Sequence, residues 1–240
     1  AARRAAPARP GRWLVLLAIA TGGLFGNFIL FSSSLQYLSP TASQVIGQLS
    51  PVGMMVASVV ILKEKMRGTQ IVGASMLLCG LVMFFNTSLI EIFTRLTDYT
   101  WGVIFGVGAA TVWVSYGVAQ KVLLRRLASQ QILFLLYTLC TVALLPLAKP
   151  GVITQLSDWQ LACLIFCGLN TLVGYGALAE AMARWQAAQV SALITLTPLF
   201  TLLFSDLLSM AWPDVFVRPM LNLLGYLGAF VVVAGAMYSA

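Results

Sequence analysis

The chain has 240 residues, 60% of them hydrophobic and 9% charged, with a mean hydropathy of +0.93 and a net charge of +7. A soluble domain carries about 25% charged residues, so this composition is built for lipid rather than water and leaves no soluble domain. The basic residues are scattered between long apolar runs and form no stripe, which reads as a topology signal and not as a nucleic-acid surface.

Residues 1–12 are a basic segment. "AARRAAPARPGRWLVLLAIA" has the look of a secretory signal, with Ala-x-Ala at 18 to 20, but the apolar run continues through Phe31 and favours a spanning helix. A span needs about 20 apolar residues. Eight segments qualify, at roughly 13–38, 41–62, 69–87, 101–123, 131–148, 159–183, 187–209 and 220–239. Short connections carry the breakers and charges between them: Pro40, "KEKMRG", "RLTDYT", "RRLASQQ", "KPG" and "AWPDVFVRP". The expected fold class is all-α, a polytopic helix bundle. Cys79, Cys140, Cys163 and Cys167 all lie in apolar runs, and with no histidine in the chain neither a metal nor a cofactor is expected.

Lys and Arg in short loops stay on the cytoplasmic side. Starting the first span inside places Arg3, Arg4, Arg9, Arg12, Lys63, Lys65, Arg67, Lys121, Arg125, Arg126 and Arg184 there, 11 of the 14 basic residues. Arg95, Lys149 and Arg218 fall outside, and Trp101, Trp159 and Trp212 mark outer segment ends. Residues 1–12 and the C-terminus are both expected in the cytoplasm.

The chain also repeats itself. At an offset of 147, "SPTASQVIGQLSPVGMMVASVVIL" lies over "QAAQVSALITLTPLFTLLFSDLLS", pairing Pro51 with Pro198 and Ser50 with Thr197. "GASMLLCG" then lies over "GAFVVVAG" at an offset of 155, each with glycines seven residues apart that suit close helix packing. The first copy, 13–100, holds three spans and the second, 101–240, holds five. Symmetry therefore leads us to expect a truncated chain whose intact form has ten spans in two five-helix repeats. An odd number of spans per repeat inverts one copy relative to the other, the arrangement of secondary transporters with a substrate site near the midplane.

The proline, apolar run, charged turn with Glu64 and "QIVGASMLLCGLVMF", together with "LQYLSPTASQVIGQLSP", resemble the EamA family of the drug/metabolite transporter superfamily from Trp13 onward. The resemblance implies a ten-helix carrier of small metabolites in a bacterial inner membrane, with an acidic residue after each proline helix. Glu64 fills that role in the first copy, whereas in the second copy the counterpart is either Asp214 or absent.

Candidate residues for a solute cavity are the polar and aromatic side chains inside spans: Asn27, Gln44, Gln48, Trp113, Tyr116, Gln120, Asn170, Tyr175, Thr195 and Thr197. Amides are costly to leave unpaired in hydrocarbon, and aromatics cover apolar or ring-bearing parts of a ligand. For a single Ser or Thr, the competing expectation is a hydrogen bond to its own helix. Pro51 and Pro198 are expected to kink continuous helices by removing bonds to the carbonyls of Gly47 and Ile194, as flexing points or as static kinks. Glu180 is the candidate proton-coupling group, with Arg184 four residues on as an alternative ion-pair partner, while Asp206 lies within a turn of its loop. The partners expected are a small solute, protons as candidate coupling ion, and the bilayer. No nucleophile, base or cofactor pattern suggests an enzyme. The alternative function is a non-transporting membrane protein, such as a lipid-handling or assembly factor.

Overall fold

The computed structural model describes the backbone of residues 10–38, 40–87, 89–90, 96–212 and 222–239, which include no strand. The α-helices whose bounds lie within the described residues are, in order, α1 (Pro10–Ser34), α2 (Pro40–Gly47), α3 (Leu49–Val60), α4 (Gly68–Phe84), α5 (Leu96–Leu123), α6 (Ser129–Leu144), α7 (Asp158–Arg184), α8 (Ala187–Ile194), α9 (Thr197–Ala211) and α10 (Leu223–Ser239). Among the described residues, five stretches are long and apolar enough to cross a membrane: Trp13–Ser34, Thr100–Leu123, Ser129–Leu147, Asp158–Arg184 and Ala187–Ala211. Three shorter apolar helices accompany them, at Val45–Val60, Gly68–Phe84 and Leu223–Tyr238.

Helix starts share one device. Gln70, Gln131, Gln160 and Gln189 each turn an Oε1 back onto the backbone N–H three residues earlier, at Arg67, Ala128, Ser157 and Gln186, over 2.9 to 3.3 Å. At α7 the exchange is mutual, because the Ser157 hydroxyl accepts from the Gln160 N–H. These contacts satisfy donors that a helix start otherwise leaves open.

The proline segments differ from the expectation. Neither is one kinked helix; each is two helices. The first breaks at Gln48, where the N–H bonds back three residues to Val45 at 3.1 Å, and the second over Thr195 and Leu196, where Leu196 bonds back to Leu193 at 3.1 Å. The backbone stays right-handed at both points, so each break is a local tightening to three-residue bonding. Pro51 then lies in the first turn of α3 and Pro198 in the first turn of α9. A first-turn residue needs no intrahelical donor, so proline costs little there and a break ahead of it costs less than a kink through it.

The chain divides into two compact units, one of residues 1–26 and 115–185, the other of 27–114 and 186–240. In the second unit, α4 and α10 make the most extensive helix contact. They run antiparallel, since Gly73 meets Gly235 while Gly80 meets Gly228. A Cβ on Gly228 would fall 2.4 Å from the Phe84 nitrogen, and one on Gly80 would fall 2.8 Å from the Val232 nitrogen, so only glycine lets the backbones approach this far. Leu77, Leu81, Phe84, Val232 and Ala236 form the core around that contact, and Ala192 of α8 joins it. Reciprocal amide bonds between Asn86 and Asn222, at 3.0 and 2.8 Å, secure one end, where Asn222 also caps α10 through the Gly225 N–H at 2.8 Å. Elsewhere in this unit Gly102 and Gly106 of α5 receive Leu38 and Ile46.

In the first unit α6 packs on α7, with Ile132, Leu136, Ala179 and Met182 buried. The N-terminal length of α7 is exposed from Asp158 through Asn170, apolar side chains included. Such a face suits lipid.

Replacing Gly228 by Ala drives a methyl group into the α4 backbone and should cost about 1–3 kcal/mol. Thermal denaturation of purified protein checks this, with Gly168→Ala, which meets nothing within 4 Å, expected to leave the midpoint no lower.

Candidate functional site

The two helix breaks are the irregular points in helices otherwise built for hydrocarbon, where non-helical backbone is tolerated only against protein or a cavity. In the second unit α3 packs against α8, and Met55 faces Ala188 and Ala192. Gln48, at the first break, is half-buried. Its side-chain Oε1 is buried with no hydrogen-bond donor among the described residues. The Ser191 hydroxyl, in the last turn of α8, is likewise buried and unpartnered among the described residues. The second break spends its own polar groups locally: Thr195 Oγ1 donates to the Ala192 carbonyl at 2.5 Å, and Thr197 Oγ1 donates to that of Ile194 at 2.7 Å. The Thr197 bond takes up the carbonyl that Pro198 cannot serve.

Other sequence candidates in this unit have structural partners. Asn27 donates from Nδ2 to the Ala109 carbonyl at 3.1 Å, which joins α1 to α5. Trp113 is half-buried on α5. The side chain of Gln44 lies outside the described residues, as does Asp214.

The first unit gathers a separate polar and aromatic group. Tyr116 and Gln120 of α5 are fully buried one turn apart, and the Tyr116 ring meets Tyr175 of α7 edge-on, with centroids 6.1 Å apart at 67°. Tyr137 donates to the Thr171 carbonyl at 3.4 Å. Asn170 lies apart from this group, on the exposed face of α7.

Glu180 is occupied. Its Oε2 accepts from the Ser129 hydroxyl at 2.6 Å and its Oε1 accepts from Arg184 Nη2 and Nε at 2.6 and 2.9 Å, which fastens the start of α6 to the end of α7. Lys121 adds a second fastening, its ammonium donating to the Met182 carbonyl at 2.7 Å and to that of Trp185. These are terminal carbonyls of α7, the negative end of its dipole. Sequence reasoning missed Lys121 and Ser191, one because its partners are backbone atoms more than 60 residues away, the other because a lone serine in an apolar run carries no signal.

The model of the EamA-like transporter family matches residues 2–86 and 100–238, nearly the whole chain. The chain belongs to the EamA-like transporter family. Within it, an Escherichia coli K12 protein named as an uncharacterized inner membrane transporter, YhbE, is 90% identical over 232 residues, 97% of this chain and 72% of its own. A Haemophilus influenzae protein named as an uncharacterized transporter is 47% identical over 228 residues, 95% of this chain and 74% of its own. A solved structure at 20% identity superposes with a TM-score of 0.74 over 99% of this chain and 80% of its own, which shows the shared fold alone. Membership gives the broken helices of this EamA chain a context in solute transport.

Lys121→Ala should leave two α7 carbonyls without their ammonium donor and destabilise the protein by about 1–3 kcal/mol. Denaturation in detergent measures it, with Lys149→Ala on an exposed connection expected to stay within about 0.5 kcal/mol of the parent.

Proposed function

We propose that the protein is a secondary transporter that exports small metabolites, amino-acid-like or drug-like solutes, across a bacterial inner membrane by alternating access between two inverted repeats. The observation that carries this reading is the correspondence of the breaks. Helices α2 and α8 each have eight residues and start at 40 and 187, 147 apart. Helices α4 and α10 each have 17 residues and start at 68 and 223, 155 apart. The α4/α10 contact has the form an inverted pair requires. At that second offset Gly73 corresponds to Gly228 and Gly80 to Gly235, so exchanging the two copies turns the Gly73–Gly235 contact into the Gly80–Gly228 contact. Repeats at 13–100 and 101–240, with eight of ten spans in this chain, fit these relations.

In this reading Gln48 presents an open acceptor to the solute and the three-residue turns beside Pro51 and Pro198 are the points that flex. Tyr116, Gln120 and Tyr175 form a second recognition group, suited to a ligand with an apolar or ring-bearing part and neutral hydrogen-bonding edges. Glu180 is the candidate coupling acid only if Ser129 and Arg184 release it, and its present partners favour a structural role. The distribution of basic residues supports cytoplasmic placement of residues 1–12 and of the C-terminus.

Flux into proteoliposomes containing the full-length protein tests the reading against a metabolite panel. Saturable flux is expected, reduced about tenfold or more by Gln48→Ala with folded protein unchanged. The factor corresponds to loss of one hydrogen bond to a bound solute. Unsaturable flux, or none across the panel, would contradict the proposal.

A further inference from the structure

The connection between α3 and α4 reaches far along the chain. Glu64 Oε2 accepts a hydrogen bond from the Ala187 N–H at 2.9 Å, across 123 residues of sequence. Ala187 opens α8 and is fully buried, so its N–H is an orphan donor with no water to serve it. A carboxylate at that point gains both a charge-assisted hydrogen bond and the positive end of the α8 dipole.

The connection is shaped to hold Glu64 in place. The Glu64 N–H donates to the Ser58 carbonyl at 2.9 Å, and Lys63 adopts a left-handed φ of 55°, rare for a residue with a side chain. On the far side Gln70 holds the Arg67 N–H at 2.9 Å. Next to Ala187, Met55, Met66, Gln70, Ala188, Gln189 and Ala192 line a void of about 10 Å³, too small for any solute. Methionine side chains re-pack at little cost, so this seal is not rigid.

We infer that Glu64 is the latch of a gate: its bond to the Ala187 N–H holds the α3–α4 connection shut over the start of α8, and its release opens that face. The inference rests on the alternating-access reading, in which α3 and α8 belong to different copies and must separate at one end during each cycle. Release of the Glu64 bond, with re-packing of Met55 and Met66 beside it, would let the start of α8 part from the α3–α4 connection without unwinding a helix. Glu64 acts on α8 and not on the solute, so it is a positioning residue.

Hydrogen–deuterium exchange of the full-length protein in lipid nanodiscs reads the latch. Glu64→Ala should speed exchange at the Ala187 amide by about tenfold or more, the factor for a lost charge-assisted bond. Glu64→Gln, which keeps an acceptor, should speed it less, and Lys65→Ala in the same connection should leave it unchanged. Opening is read separately, by labelling Ser191→Cys with a polar maleimide in a background free of other cysteines. Ser191 is 1% exposed, and labelling should rise at least several-fold when Glu64→Ala is added. Unchanged amide exchange overturns the latch. Faster exchange with unchanged labelling leaves Glu64 a helix cap that gates nothing and also overturns the proposal. Both results are independent of flux, so a failed latch and a failed transport reading are told apart.

Discussion

Hydrocarbon offers a backbone no hydrogen-bond partner, and every described element of this chain answers to that constraint. The helices satisfy their interiors by themselves. Their ends and breaks do not, and those are where side chains have been recruited: glutamines fold back over four helix starts, Lys121 covers the end of α7, Thr197 takes the carbonyl beside Pro198, and Glu64 serves the first N–H of α8. The proposed function draws on the same places. A continuous apolar helix has nothing to bind with and nothing to bend at, so a chain that must pass a solute has to open its ladder somewhere and find replacement partners close by.

The close packing of α4 on α10 complements those openings. Glycine backbones touching over 73, 80, 228 and 235 leave little room for sliding, and the Asn86–Asn222 pair secures one end. In the proposed transport cycle this seam is the surface that holds, and the breaks at Gln48 and at Thr195 and Leu196 are the points that yield. Alternating access needs that division of labour, because rocking about a site requires one surface that holds and others that yield.

Much of this was legible in the sequence, for identifiable reasons. Apolar runs bounded by charges located helices to within a few residues: α8 begins at Ala187 where the expected span begins, and α7 covers 158–184 against an expected 159–183. The family followed from wording around Pro51 and Glu64. The helix breaks were less legible. Proline marks backbone trouble without saying whether the chain bends through it or restarts ahead of it, and here it restarts, at Leu49 two residues before Pro51 and at Thr197 one before Pro198. The candidate site was the least legible part. Whether Asn27 meets a solute or the Ala109 carbonyl depends on which helix lies opposite, and Glu64 finds Ala187 only after folding brings positions 123 residues apart together. Thr195 and Thr197 both spend their hydroxyls on nearby carbonyls of α8, close to the competing expectation for a hydroxyl in a span.

Inversion of the two copies is the claim on which the functional reading rests, and the side of the membrane that each connection faces tests it most directly. Lys65, between α3 and α4, and Trp212, after α9, are both exposed, and in the proposed repeat they belong to corresponding connections. Single cysteines at these positions in the full-length protein can be labelled with an impermeant maleimide in intact cells and in inside-out vesicles. The account predicts that Lys65→Cys reacts only from the cytoplasmic face and Trp212→Cys only from the outer face. Labelling of both from the same side would contradict it.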